Sequence, residues 1–417
     1  MISFRLLLGA VASLPVSAFA GSAPVRPGNP DLPRLAHHQP GLLVDLGVGL
    51  WAWPLPLDYN DDGYMDLMVV CTGRPSTGTW YFENSTQIDP QTSLPIFLPA
   101  VYVAKAVPSA TISYLTGTPI VTSTGHAYPD FKQSLFDRPH PIPAPDKIHL
   151  EPGFIRQNQW QLVDYDGDGA LDLSVGLDFW GDHGPAYGGK GPFEGKSYDA
   201  QGNWRRGPLH GYVYLLRNSG STAAPIYSAP AQMAAGGKAV DPYGMPSPCW
   251  GDFDSDGDLD LICGSFHDNF TYYENIGTRT TPRYAAGRML TLGQEPITMD
   301  LCMITPTAVD FDGDGDLDLV VGDEDGRVAL IENTGRVLNG VPQFLTPRYF
   351  RQFADHVKFG ALPTPYVFDW DGDGDDDIIS GNSAGHVGFI ENLGGKPSRW
   401  AAPRYLSAGG KMGNSGR

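Results

Sequence analysis

Cysteine is scarce in this chain, and what there is does not suit a metal-thiolate site. Only Cys71, Cys249, Cys263 and Cys302 occur among 417 residues, and no two stand in the C-x-x-C spacing of a zinc or redox motif. Basic residues are also few. Lysine and arginine number 28 against 47 aspartates and glutamates, and the formal charge of −19 argues against nucleic acid, whose phosphates need cations. After residue 20 no apolar run approaches the roughly 20 residues of a membrane helix. A glycine-rich phosphate loop and a zinc-protease helix are missing. Long stretches of 3.6-residue apolar period are missing too. Glycine (52) and proline (37) are abundant, which points to an all-β chain with many turns and little helix.

Near its start the chain has Arg5, a short apolar run from Leu6 to Val16 and the small-residue pattern Ala18-Phe-Ala20, which together read as a secretory signal peptide over residues 1–20. Residues 21–40 are proline-rich and read as a leader, residues 41–410 as the folded body, and residues 411–417 as a Gly/Asn/Ser tail. The expected destination is the periplasm, the cell surface or the medium. Export permits a disulfide, and buried free thiols are equally compatible with the four cysteines.

The acidity is concentrated. Asp310-Phe-Asp312-Gly-Asp314-Gly315-Asp316-Leu-Asp318 brings five carboxylates into one short loop, although neighbouring carboxylates repel by about 1 kcal/mol in water and more near a protein surface. The pattern D-x-D-x-D-G-x-x-D matches the first nine positions of an EF-hand calcium loop. There, positions 1, 3, 5 and 9 offer side-chain oxygens, position 7 its carbonyl, and the glycine at 6 the sharp turn. In this chain the loop runs into a strand, Leu319-Val-Val-Gly322, and not into a helix. The pattern occurs five times: Asp58, Asn60, Asp62, Tyr64 and Asp66; Asp164, Asp166, Asp168, Ala170 and Asp172; Asp252, Asp254, Asp256, Asp258 and Asp260; Asp310, Asp312, Asp314, Asp316 and Asp318; and Asp369, Asp371, Asp373, Asp375 and Asp377. These loops hold 24 of the 47 acidic residues, so the net charge reports metal sites, and about five calcium ions are expected.

Two further markers keep step with the loops. An Asn closes the next hairpin (Asn84, Asn218, Asn275, Asn333, Asn392), and a Pro-x-aromatic follows it (Pro95, Pro225, Pro282, Pro342, Pro403). From loop to Asn the offsets are 26, 54, 23, 23 and 23 residues, and from Pro-x-aromatic to the next loop they are 69, 27, 28 and 27. A repeat of about 58 residues with strand A entering the loop, strand B leaving it, strand C ending at the Asn and strand D around the proline is a propeller blade. Stacked blades bury faces that one could not bury alone.

In these motifs the chain resembles the FG-GAP/VCBS repeat family, over residues 41 to about 408. The resemblance implies a calcium-binding β-propeller of four-stranded antiparallel blades, commonly seven-bladed. Five blades are identifiable, and the ring is either closed by five or an incomplete seven-bladed one; the family's habit favours the latter. The fold serves adhesins, lectin-like proteins and polysaccharide lyases, so it does not decide activity.

The two long offsets are read as insertions, residues 104–157 between blades and residues 180–210 between strands B and C. Strand alternation sends both to the face opposite the acidic loops, where binding residues are expected. The second insertion carries Trp180, His183, Tyr187, Trp204, Arg205, Arg206 and His210; the neighbouring hairpin carries His267 and Asp268; the first insertion adds His126, Tyr128 and Asp130. Aromatic rings interleaved with cations suit a glycan or an extracellular protein as partner, with Trp180, Tyr187, Trp204, Arg206 and Asp268 as contacts. The alternative is an enzyme, a lyase on an acidic polysaccharide, with His183, Arg205, His210 and His267 as candidate catalytic groups. A loop whose aromatics merely pin it to the propeller explains the same composition.

Overall fold

Strands buried at every residue, such as Asp318–Gly322, need cover on both faces, and the architecture supplies it. The structure, a computed structural model, describes residues 34–412 apart from 75, 147, 149–154, 156–157, 182, 184–197, 202 and 409–410. The signal-peptide reading, Tyr187 and residues 413–417 therefore lie outside the described residues. Among the described residues six four-stranded antiparallel meanders form, beginning at Ala52–Leu57, Thr111–Ser113, Asn158–Val163, Ser247–Gly251, Thr305–Val309 and Thr364–Phe368. They are numbered sheets 1 to 6 in chain order. The one helix among the described residues is the single turn Phe131–Ser134.

Sheets 1 to 5 are linked in a circle. Their first strands surround one narrow axial space lined by Trp53, Ile112, Gln161, Pro248 and Thr307. Side chains stitch each first strand to the next: Thr307 Oγ1 donates to Pro54 O (3.2 Å), Tyr114 OH to Pro56 O (2.5 Å), Thr111 Oγ1 to Trp160 O (2.8 Å), Gln159 Nε2 to Ser247 Oγ (2.9 Å) and Ser247 Oγ to Ile304 O (2.8 Å). The apolar core is divided accordingly into five wedges, one between each adjacent pair of sheets. In sheet 5, Val320 packs toward Val69 of sheet 1, while Leu319 and Val321 pack toward Ile262 and Phe270 of sheet 4. The two-residue period of the strand thus serves two neighbours.

Membership of the circle differs from the sequence expectation. Residues 104–157, read as an insertion, contain sheet 2 (Thr111–Ser113, Ile120–Ser123, His126–Tyr128, His140–Pro141). Its A–B turn, Tyr114-Leu-Thr-Gly-Thr-Pro119, has no carboxylate, so counting acidic loops passes over it. Tyr128 is buried against Phe136, with ring centroids 4.9 Å apart. Conversely sheet 6, which has an acidic loop, lies outside the circle with a small core of its own around Phe359, Ile378, Ile390 and Trp400. Its first strand is exposed, Tyr366 at 68% and Val367 at 55%, where the equivalent strands of the ring are covered. As an array of acidic-loop repeats the propeller is therefore incomplete at this edge.

A mixed sheet closes the join between sheets 1 and 5. Leu43–Asp45 pairs antiparallel with Arg351–Phe353, which pairs in parallel with Pro95–Phe97. The leading segment thus lies beside the chain leaving sheet 5, and His37 O accepts from Trp400 N of sheet 6 (3.1 Å).

Candidate metal centres and recognition surface

The acidic loops owe their shape to the last aspartate of each motif. Asp66, Asp172, Asp260, Asp318 and Asp377 are all buried, and each accepts the backbone N–H of the Asn that closes strand C, at 2.8, 2.6, 2.8, 2.8 and 2.9 Å. In four of the loops the second oxygen takes the N–H of the residue after the first aspartate, as in Phe311 N to Asp318 Oδ2 at 3.1 Å. The Asn marker accompanies every acidic loop at this place: its backbone amide is the partner of the buried carboxylate, across 46 residues in sheet 3 and 15 in sheets 4, 5 and 6. Gly315 has φ +98°, a left-handed turn that an L side chain resists.

The turn gathers the remaining carboxylates. Oxygens of Asp310, Asp312 and Asp318 lie within 4.8 Å of one another, and so do those of Asp252, Asp254 and Asp256, of Asp164, Asp166 and Asp168, and of Asp369, Asp371 and Asp377. In the first loop Asn60 takes one carboxylate's place, and Asp58 accepts from Asp62 N and Gly63 N at 3.1 and 3.0 Å. Several oxygens in the third and fourth loops are buried without a hydrogen-bond partner: Asp254 Oδ1, Asp258 Oδ1 and Asp316 Oδ1. Burial, reinforced by the other carboxylates, pushes Asp260 up to about 8, Asp318 to about 7, and Asp258 and Asp316 to about 6. Orphaned hard oxygens and protons held by crowding are what a divalent cation would relieve, so these donors fit a calcium-type ion. The second loop differs: guanidinium groups of Arg217 and Arg279 stand against it.

On the opposite end of the ring, residues 180–209 join the second and third strands of sheet 3, Asp172–Phe179 and His210–Leu216. Trp180 is buried, donates Nε1 to Asp178 Oδ2 (2.8 Å) and meets Phe266 of sheet 4 edge-on. His183 lies between Trp180 (5.3 Å) and Trp204 (4.7 Å), with Nδ1 3.0 Å from Gly207 O. Arg206 Nη1 donates to His183 O at 3.2 Å. A one-bridge hairpin turned by Asp199, which accepts from Gln201 N and Asn203 N, presents Tyr198 and Trp204, exposed at 59% and 40%. The two rings are 5.3 Å apart. Tyr198 is the member of this aromatic cluster that the sequence reading missed; its pairing with Trp204 was hidden behind the five-residue turn.

The other candidates separate. His210 Nδ1 is bound to Asp241 Oδ2 at 2.6 Å and its ring stacks on Tyr212. His267 stacks on Tyr243 at 4.3 Å. Arg205 and Asp268 each have partners of their own. The structure brings Trp180, His183, Trp204 and Arg206 together, and places His210 in a separate contact group.

Residues 310–380, from the fourth acidic loop through the second strand of sheet 6, match the family model described as an FG-GAP-like repeat. No curated protein matches the chain.

Proposed function

We propose that this chain, which carries an FG-GAP-like repeat, is an exported, calcium-stabilised propeller that recognises a glycan through the face opposite its acidic loops. The exposed Trp204–Tyr198 pair, backed by His183 and Trp180, carries the reading. Two half-exposed rings, one wedged from behind by the partly exposed His183 and the buried Trp180, form a shallow apolar platform of the kind on which a sugar ring stacks. Arg205 and Arg206 adjoin it in sequence and supply hydrogen-bond donors suited to an acidic sugar. The reading divides the faces: the acidic loops join first and second strands on one, and the loops between second and third strands, which differ in length, lie on the other.

A lyase needs an imidazole free to take a proton in a cleft. Nδ1 of His183 faces a backbone carbonyl between two indoles and Nδ1 of His210 faces Asp241, which leaves Nε2 of each ring as the nitrogen a lyase would have to use. The test is a panel of acidic and neutral polysaccharides, scored both for retention and for the absorbance of unsaturated products. Retention without new absorbance, lost in Trp204→Ala, supports recognition. Turnover lost in His183→Ala, with binding kept, replaces it with the lyase.

A further inference from the structure

Four of the five residues that precede the strand-C asparagine are glutamates, Glu83, Glu274, Glu332 and Glu391; in sheet 3 the residue is Arg217. In sheets 4 and 5 this glutamate pairs with an arginine on the fourth strand, Glu274 with Arg288 and Glu332 with Arg348. The same register position in sheet 6 is Arg404, opposite Phe389. In sheet 3 it is Ala231, opposite Leu215. The cation has moved from the fourth strand to the third, and with no glutamate to meet it turns into the loop. Arg217 contacts Asp166 through Nη2 and stands 3.7 Å from Asp172 through Nε. From the next blade Arg279 reaches back, its Nη2 3.1 Å from Asp164 Oδ2 and donating to Asp164 O at 2.6 Å. Its stem covers Gly167, where a Cβ would meet Arg279 Cγ at 3.2 Å. The loop also has Ala170 at its seventh position, where the third, fourth and fifth loops have Asp258, Asp316 and Asp375.

We infer that the second acidic loop does not take calcium at concentrations that fill the others, its cation being supplied by Arg217 and Arg279. Two guanidinium groups oppose four carboxylates there, and an incoming divalent ion must displace Arg217 from Asp166 and Asp172. Sheets 3 and 4 are then joined at this rim by an inter-blade ion pair, Arg279 to Asp164. Oδ1 of Asp164 and of Asp166 stay without partners, so the geometry for an ion persists once the arginine is gone.

This inference rests on the calcium reading, and ion counting separates the two. Equilibrium dialysis against about 1 mM calcium, the range of extracellular sites, followed by elemental analysis should find four ions per wild-type chain. The exchange Arg217→Glu with Ala231→Arg, which restores the pair found in sheets 4 and 5, should raise the count to five. Arg217→Gln, which removes the charge with little change of volume, should do the same at higher calcium. Five ions on the wild type, or a count that stays at four in both variants, overturns the inference while leaving the calcium reading intact. No ions on any of them overturns the calcium reading itself.

Discussion

Arg327, in the hairpin between the second and third strands of sheet 5, holds together three parts of the molecule, and its removal should be costly. The side chain is 7% exposed. Its nitrogens lie 3.0 Å from Asp300, 3.6 Å from Asp323, 3.8 Å from Asp45 of the leading strand and 3.9 Å from Asp325, and its guanidinium sits 4.1 Å over the Tyr349 ring. Asp325 in turn accepts from Ser383 Oγ (2.6 Å) and Ala361 N (2.8 Å), which ties sheet 6 to the ring. Arg327→Met keeps the volume and strands Asp323 and Asp325, both buried, without their counter-charge. Breaking a buried pair from one side costs roughly 3–5 kcal/mol, and at about 2 °C per kcal/mol this is a fall in melting temperature of roughly 6–10 °C. The loss should depend on pH in a stated direction. Burial pushes Asp323 up to about 7, and Arg327 opposes that rise; without the arginine it rises further. A carboxyl whose folded pKa is raised favours the fold below its unfolded value and loses that contribution as pH climbs through the folded one. The variant should therefore lie closest to wild type at pH 5 and furthest from it at pH 8, as measured by scanning calorimetry at both. A loss below about 1 kcal/mol at pH 8, or one that grows on acidification, refutes this account of the latch.

Asp318→Asn keeps one acceptor for the two amides but removes a carboxylate from the fourth loop, so in chelator it should melt within a few degrees of wild type. It should lose one site's share of the calcium increment, about 2.7 kcal/mol at a hundredfold excess over Kd, read by calorimetry with and without calcium. Because Asp260 is raised to about 8 and Asp318 to about 7 without an ion, calcium must displace protons; titration calorimetry in buffers of different ionisation heat should show proton release at pH 6 that fades above pH 8. By the same shifts the ion-free protein should lose stability as pH rises from 5 to 8, and calcium should abolish that slope. Trp180→Ala should destabilise the fold by about 3 kcal/mol or more through the cavity it leaves, whereas Trp204→Ala should leave the melting temperature nearly unchanged. Equal effects from the two would mean that the hairpin only pins the loop.

The acidic loops were legible because their chemistry is local: nine residues supply the donors and the turn, and the buried carboxylate takes the backbone N–H of the Asn that ends strand C in every repeat. Sheet 2 was not legible by the same route, since its first turn bears no acid and its strands, three to four residues long over most of their length, carry too little alternation to register. Which repeats close the circle depends on contacts 253 residues apart, such as Thr307 to Pro54, and no spacing encodes those. On the face opposite the acidic loops the residue types were readable and their grouping was not. His183 and Trp204 meet because Gly207 O takes both His183 Nδ1 and Trp204 Nε1, and Tyr198 joins them through a turn that Asp199 closes.

The central claim, that the crowded carboxylates of the acidic loops hold calcium and that the ion is part of the fold's stability, is tested most directly by thermal unfolding of the wild-type chain in excess chelator and in 10 mM calcium. With sites of about 10⁻⁴ M, each filled loop adds about 2.7 kcal/mol, so the melting temperature should rise by well over 10 °C with calcium and should return when calcium replaces the chelator. Superimposable melts in chelator and in calcium would contradict it.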